Sequence, residues 1–245
     1  MAVCTFTMVL KWRKMLSSKT LTLGFERDDG QLFEFTPGQF ITLLFETDDG
    51  LKRRSYSLAT IPNQNNQIEL VLTLLDGGAA SERLMNLTPG ESLKALGPVG
   101  RLVMQEDDAK RYVMIGTSTG IAPYRTMLPA LTARIKQQLG FKVVVVEGVQ
   151  YRDDLLYADD FLTAAKAYPG FEFYAKFSQD SLLDPKDYES KGHVQTAFDA
   201  LALNPLEDVV YLCGNPNMID QNYQYLIDQG FDKKSVRREK YISSN

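Results

Sequence analysis

The hydrophobic periodicity of this chain changes once, near Gln105 to Lys110, and that change bounds the fold more tightly than any other feature. Before it come short β-like runs, "FTMVLKW", "TLTLGFE", "QFITLLFE", "SYSLAT" and "QIELVLTLL". Turn signals at Asp29-Gly30, Pro37-Gly38, Asp49-Gly50 and Ile61-Pro62-Asn63 separate them. Many short strands with regular turns predict an antiparallel barrel or sandwich. After "QEDDAK" the pattern becomes strand and helix in alternation: "RYVMIG", "PYRTMLPALTARIKQQLG", "KVVVVEGV", "DLLYADDFLTAAKAY", "FEFYAKFS", "VQTAFDALAL", "DVVYLCG" and "NMIDQNYQYLIDQG". Apolar strands between amphipathic helices predict a parallel sheet covered on both faces. The expected architecture is therefore β followed by α/β: a barrel over residues 1–104 and a doubly wound, five-stranded parallel-sheet domain over 105–245.

Composition narrows the function classes. The 245 residues suffice for two domains. No apolar run approaches the roughly 20 residues of a membrane helix, and the basic residues of "MAVCTFTMVLKWRK" follow the apolar stretch instead of preceding it, so a cytoplasmic protein without membrane insertion is expected. Cys4 and Cys213 form neither a disulfide framework nor a C-x2-C pair, and the single histidine, His193, excludes a multi-histidine metal site. Residues up to Met104 carry 11 Lys and Arg against 11 Asp and Glu, so the net charge of −4 belongs to the remainder. A nucleic-acid surface is not expected. The groups Lys11, Arg13, Lys14 and Lys52, Arg53, Arg54 read either as solvated strand ends or as a patch for an acidic partner.

"YVMIGTSTGIAPYRTML" is an apolar strand, a loop with Gly116 and Gly120, and a helix beginning around Ile121 to Pro123. Proline suits a first helical turn, and the positive end of that helix suits a phosphate. A purely structural strand-to-helix turn reads the same way, and Ser118 stands where a dinucleotide fingerprint has its second glycine. The same letters fit G-x-S-x-G, the elbow of an α/β-hydrolase with Ser118 as nucleophile and Asp184 or Asp187 and then His193 in order. Pro123 in the helix turn, the preceding barrel and the strands after His193 speak against it.

Two stretches of the first half carry further chemistry. In "LTLLDGGAASERLMNL" a strand passes through Asp76-Gly77-Gly78 into a short helix, where Ser81 either caps the helix or offers a hydroxyl to a phosphate. In "LKRRSYSLAT" the period of 2 puts Arg54 and Tyr56 on one face of a strand, able to meet one extended ligand together. Ser55 and Ser57 share the opposite face unless the strand bends or ends at Ser57.

Taken with these, Arg54-Ser55-Tyr56-Ser57 resembles the R-x-Y-S flavin motif of the ferredoxin–NADP reductase family, and "GGAAS" is similar to its turn over the FAD pyrophosphate. "GPVG" at 97–100, "GTSTGIAP" at 116–123, "EGVQYRDDLLY", "CGNPNM" at 213–218 and "EKY" at 239–241 match further motifs, in order, over nearly the whole chain. The resemblance implies an enzyme that moves hydride between NADPH and FAD and single electrons to or from a separate ferredoxin or flavodoxin. FAD is then expected on residues 1–104 and NAD(P) on 105–245, whose tail returns to the flavin. It implies that Arg54 pairs with the FAD pyrophosphate, Tyr56 stacks on the flavin and Ser57 sits by its N5. It further implies that Ser55, Val71, Ala79, Ala80, Ser81 and Thr117 line the FAD site and that Tyr241 covers the other flavin face. Cys213 and Glu239 would act with Ser57 at the nicotinamide. Gly116, Thr117, Val149, Gln150, Ser178, Gln179, Lys191, His193, Gly214, Asn215 and Pro216 would hold the NADP. Taken alone, Tyr56 and Tyr241 also read as core aromatics, and Cys213 as a small buried hydrophobe.

The chain departs from this family where nucleotide choice is made. The usual S-R pair after the third strand is Ser178-Gln179 here, while "KGHVQT" is similar to a plant-type stretch that would bring Lys191 and His193 to the 2′-phosphate. NADP(H) is the expected nucleotide, with NAD(H) as the alternative. The alternative enzymes are the NADH-dependent reductase component of an oxygenase and a free-flavin reductase. A monomer is expected.

Overall fold

Two six-stranded sheets meet at one buried seam, and the change of periodicity near residue 105 falls between them. The computed structural model describes residues 3–47, 50–62, 66–75 and 77–241, without the side chains of Thr47 and Ala79. Asp49, Asn63 and Asp76 of the expected turns, and the side chain of Ala79, lie outside the described residues.

The first sheet is antiparallel in the order β4-β3-β6-β1-β2-β5, formed by β1 (Cys4–Met15), β2 (Thr20–Arg27), β3 (Phe40–Thr47), β4 (Gly50–Ser57), β5 (Ile68–Thr73) and β6 (Ser92–Val99). An isolated bridge from Leu58 to Leu70 brings the end of β4 against β5, so the sheet curls toward closure around Met8, Leu23, Phe25, Ile41, Leu43 and Leu70. Helix α1 (Ala79–Met85) follows β5. The β-like runs of the sequence omit β6, although it lies between β3 and β1. Its alternation, Leu93 and Ala95 in and Ser92 and Lys94 out, spans few residues before Gly97-Pro98 obscures it.

The second sheet is parallel in the order β10-β9-β8-β7-β11-β12. Its strands are β7 (Arg111–Thr117), β8 (Lys142–Val149), β9 (Phe171–Phe177), β10 (Glu189–Lys191), β11 (Asp208–Gly214) and β12 (Val236–Lys240). Four of its strands are the apolar runs of the sequence, β12 brings them to the expected five, and three-residue β10 adds a sixth at the edge. Alternate residues of β7 serve opposite cores: Tyr112 and Met114 face α2 (Ala122–Gln137) and α3 (Ala158–Ala167), while Val113 and Ile115 face α4 (Ala197–Leu201) and α5 (Pro216–Asp228). Helices on both faces explain the unbroken apolar runs "VVVV" and "VVYLC". α3 begins later than its apolar pattern, because Arg152–Asp154 form a separate 3-10 turn and Tyr157 takes a left-handed φ of 55° before the helix.

Barrel and α/β sheet share one core. Ala59, Val71 and Leu102 pack in the same cluster as Tyr124, Met127 and Leu131 of α2. Gly38, at φ 98°, donates its N–H to Thr126 Oγ1 at 2.8 Å and sits so close to the Leu102 backbone that a side chain there would collide.

Candidate functional site

In an open α/β sheet, ligands bind beyond the carboxyl ends of the strands, where the winding direction reverses. Here that point is β7, with β8 on one side and β11 on the other. Thr117 ends β7, Ser118–Ile121 form a 3-10 turn, and α2 follows with Pro123 in its first turn. Gly120 has no room for a side chain: a Cβ would stand 2.7 Å from the Cys213 carbonyl carbon. The loop therefore lies directly on the end of β11. Thr117 Oγ1 accepts the Asn215 N–H at 2.9 Å, and the Asn215 side chain caps α5 by accepting from Asn217 N at 2.9 Å and Met218 N at 3.2 Å. Gly116, Thr117, Gly214, Asn215 and Pro216 thus form one continuous rim.

The barrel completes the site. β4 ends at Ser57, which is buried and, at the strand end, need not keep to the face opposite Arg54 and Tyr56. Arg54 and Tyr56 are half-buried on one face while Arg53 and Ser55 are exposed, and Ser55 Oγ lies 3.0 Å from Thr42 Oγ1. Burial pushes the Tyr56 phenol up to about 12, so it stays neutral. Val71 is buried in the seam.

Tyr241 closes the gap between the sheets. Its backbone N–H bonds to the Gly214 carbonyl at 2.9 Å, and its hydroxyl shares a hydrogen bond with Ser57 Oγ and reaches the Thr119 carbonyl at 3.4 Å. Cys213 pairs in register with Glu239 on β12 and with Gly116 on β7. Burial, and then the neighbouring Glu239, push the Cys213 thiol well up, so it is a thiol and not a thiolate. Burial lifts the Glu239 carboxyl to about 7 and the Tyr241 phenol well above its usual range.

The residues expected at the outer nucleotide lie along β8, β9 and β10. Ser178 N donates to the Val149 carbonyl and Gln179 N to the Gln150 carbonyl, each at 3.0 Å, and Lys191 pairs in register with Phe177. Lys191 and His193 are exposed beside this loop. Asp180 stands in no motif of the sequence; its carboxylate accepts Arg152 N at 2.9 Å and Leu182 N at 2.8 Å and is held low, first by these backbone donors and then by the cations Arg152 and Lys191. An acid two residues past Ser178 was visible in the sequence; that it turns back onto this loop was not.

Two expectations change. Ser81 does not cap α1: Gly78 occupies the cap position, and Ser81 Oγ accepts the Leu75 N–H at 2.9 Å, pinning the loop ahead of the helix. Ala80, half-buried, packs on the barrel core. The hydrolase arrangement is not formed. Ser118 takes a left-handed φ of 50°, its Oγ lies 3.5 Å from Thr73 Oγ1, and no hydrogen bond among the described residues joins it to His193, Asp184 or Asp187.

The site as built suits a flavin beside a nicotinamide nucleotide: a guanidinium and an aromatic ring on one strand face, a tight loop at a helix start, and an aromatic ring held by hydroxyls between the two sheets. Residues 7–104 match the oxidoreductase FAD-binding domain and residues 114–223 the oxidoreductase NAD-binding domain. The chain belongs to the ferredoxin–NADP reductase family. Its cofactors are FAD and NAD(P). It is 28% identical over 233 residues to ferredoxin–NADP reductase B of Sorangium cellulosum, covering 92% of this chain and 93% of that one. It is 29% identical over 234 residues to the toluate 1,2-dioxygenase electron transfer component of Pseudomonas putida, covering 94% of this chain and 66% of that longer relative. Among solved structures the fold matches the cytochrome P450 reductase of Amycolatopsis with a TM-score of 0.86 at 24% identity, over 99% of this chain and 71% of that one. It matches a ferredoxin–NADP reductase of Neisseria gonorrhoeae, with bound FAD and NADP, with a TM-score of 0.81 at 22% identity over 97% and 99% of the two chains. No helix among the described residues is long and apolar enough to cross a membrane.

Proposed function

We propose that this oxidoreductase is an NADPH-dependent ferredoxin or flavodoxin reductase, acting in the cytoplasm as a monomer on a separate carrier protein. Flavin binding is assigned to residues 1–104 and nucleotide binding to 105–245. The observation that carries the carrier assignment is the match to ferredoxin–NADP reductase B over nearly the full length of both chains. NADPH is favoured by Lys191, an exposed cation on the edge strand in register with Phe177, the residue before Ser178.

Bound FAD supplies the conversion between a two-electron hydride and single electrons. The chain's own residues hold the reactants and exclude water. Arg54 would neutralise the pyrophosphate with a fixed fork of donors. Tyr56 would form one wall of the ring site and Tyr241 the other, to be displaced when the nicotinamide arrives. Ser57, freed as Tyr241 leaves, would offer its hydroxyl at the reacting edge. Cys213 stays a neutral thiol, and Glu239, with its carboxyl near 7, can hold or release a proton beside it. Ala79, Ala80 and Ser81 would cover the pyrophosphate, and Val149, Gln150, Gln179 and His193 would line the outer nucleotide.

A second reading is an NADH-dependent reductase component of an oxygenase. Asp180 favours it, because an ionised carboxylate beside Ser178 and Gln179 suits a free ribose hydroxyl and repels a 2′-phosphate. Rapid-mixing measurement of flavin reduction by NADPH and NADH decides: a rate ratio favouring NADPH supports the first reading, and one strongly favouring NADH replaces it. Reduction of ferredoxin or flavodoxin by the NADPH-reduced protein tests the carrier, and failure with both carriers rejects it.

A further inference from the structure

We propose that Arg125 is a positioning residue for hydride transfer, strapping the strand end that carries Ser57 to the helix whose start forms the nucleotide loop. The inference rests on the flavin and nicotinamide reading above. Arg125 lies in the first turns of α2, five residues past Gly120, and is not among the residues assigned a cofactor role. Its Nη1 donates to the Ala59 carbonyl at 2.7 Å and to Glu69 Oε2 at 2.6 Å, both barrel groups, and its Nε donates to Asp160 Oδ2 on α3 at 2.6 Å. The guanidinium stacks over the Tyr157 ring at 4.2 Å, and the Tyr157 hydroxyl returns to Glu69 Oε1 at 3.0 Å. Thr22 Oγ1 also donates to Glu69 Oε1, at 3.1 Å.

This is not a surface ion pair. The side chains of Arg125 and Glu69 are only 15% and 16% exposed, and one planar cation is shared between two carboxylates and a carbonyl. Such a fork fixes direction as well as distance. What it fixes is the relation of the two halves of the site. Ala59 is two residues past Ser57, and α2 begins where the turn Ser118–Ile121 ends; Thr119 of that turn supplies the carbonyl that Tyr241 reaches. The strap therefore sits directly behind the point where Ser57, Tyr241 and the loop meet. Hydride transfer depends steeply on such spacing, whereas Arg54 for the pyrophosphate and Val149, Gln150, Ser178 and Gln179 for the outer nucleotide each lie on one side of the seam.

Loss of Arg125 alone leaves Glu69 as an unpaired, mostly buried charge, which destabilises for a trivial reason. The decisive protein is therefore the holoenzyme of the double variant R125Q/E69Q, which removes the two mostly buried charges and leaves only the more exposed Asp160, alongside R125K, which keeps the charge but cannot span three acceptors. For both variants we expect bound FAD and a nucleotide KM within about twofold of the parent, with flavin reduction at saturating nucleotide at least tenfold slower. Hydrogen–deuterium exchange without nucleotide should rise at residues 57–60 and 116–121. A double variant with parental reduction rate and parental exchange overturns the proposal, as does one in which KM rises while the saturated rate holds. Should R125Q/E69Q fail to fold, R125K decides by the same criteria. A parent protein that transfers no hydride from either nucleotide overturns the preceding functional reading instead; the exchange comparison then stands by itself as the test of the strap.

Discussion

Ser57 and Tyr241 lie 184 residues apart in the chain and share one hydroxyl–hydroxyl hydrogen bond across the seam between the two sheets. The bond exists because β4 stops at Ser57 and because the Tyr241 amide is held by the Gly214 carbonyl at the end of β11. Removing either hydroxyl, in S57A or Y241F, should cost about 1 kcal/mol, the usual net value of such a bond. The two costs should not add in the double variant. Thermal unfolding of the four proteins measures this, and fully additive losses would show that the hydroxyls do not interact. S57A should also slow flavin reduction while leaving FAD bound.

Arg54→Ala should weaken FAD binding by about 1.5 to 3 kcal/mol, the range for hydrogen bonds to charged groups, or roughly ten- to a hundredfold in Kd. Titration of apoprotein with FAD reads this directly. An unchanged Kd would remove Arg54 from the pyrophosphate site and leave Tyr56 as the only contact of that strand face.

Glu239 ties stability to pH. Its carboxyl is lifted to about 7 by burial, against an ordinary value of 4.5, so between those two pH values the folded protein holds a proton that the unfolded chain has released. Stability from this group is complete below 4.5 and is lost as pH rises through 7. E239Q should flatten that part of the stability curve. Melting temperatures of parent and variant from pH 4.5 to 8 that fall in parallel would show that Glu239 is not the group responsible.

Gly120→Ala would drive a methyl group into the Cys213 carbonyl, a backbone atom that cannot step aside. Overpacking of this kind costs about 1 to 3 kcal/mol. The nucleotide loop and β11 must then part, so nicotinamide-nucleotide affinity should fall with the melting temperature. A variant that melts and binds as the parent does would mean that this contact has slack.

Local pattern was enough to give the first part an antiparallel and the second a parallel sheet, and to put Arg54 and Tyr56 on one strand face, because periods of 2 and 3.6 are written in neighbouring residues. The motif order also carried the family. Local pattern could not show β6 as a strand set between β3 and β1, since pairing with distant strands, and not its own short alternation, defines it. Nor could it show that Ser81 pins Leu75 instead of capping α1, or that Asp180 turns back to stand beside Ser178 and Gln179. Arg125 lies inside the helical run "PYRTMLPALTARIKQQLG" with nothing in its neighbours to single it out. Its role depends on Glu69, 56 residues away, and Asp160, 35 residues away, arriving at the same guanidinium. Neighbouring residues specify what each segment is and which cofactor chemistry its motifs suit. Tertiary packing alone decided how the two halves of the site face one another, because that depends on contacts between residues far apart in the chain.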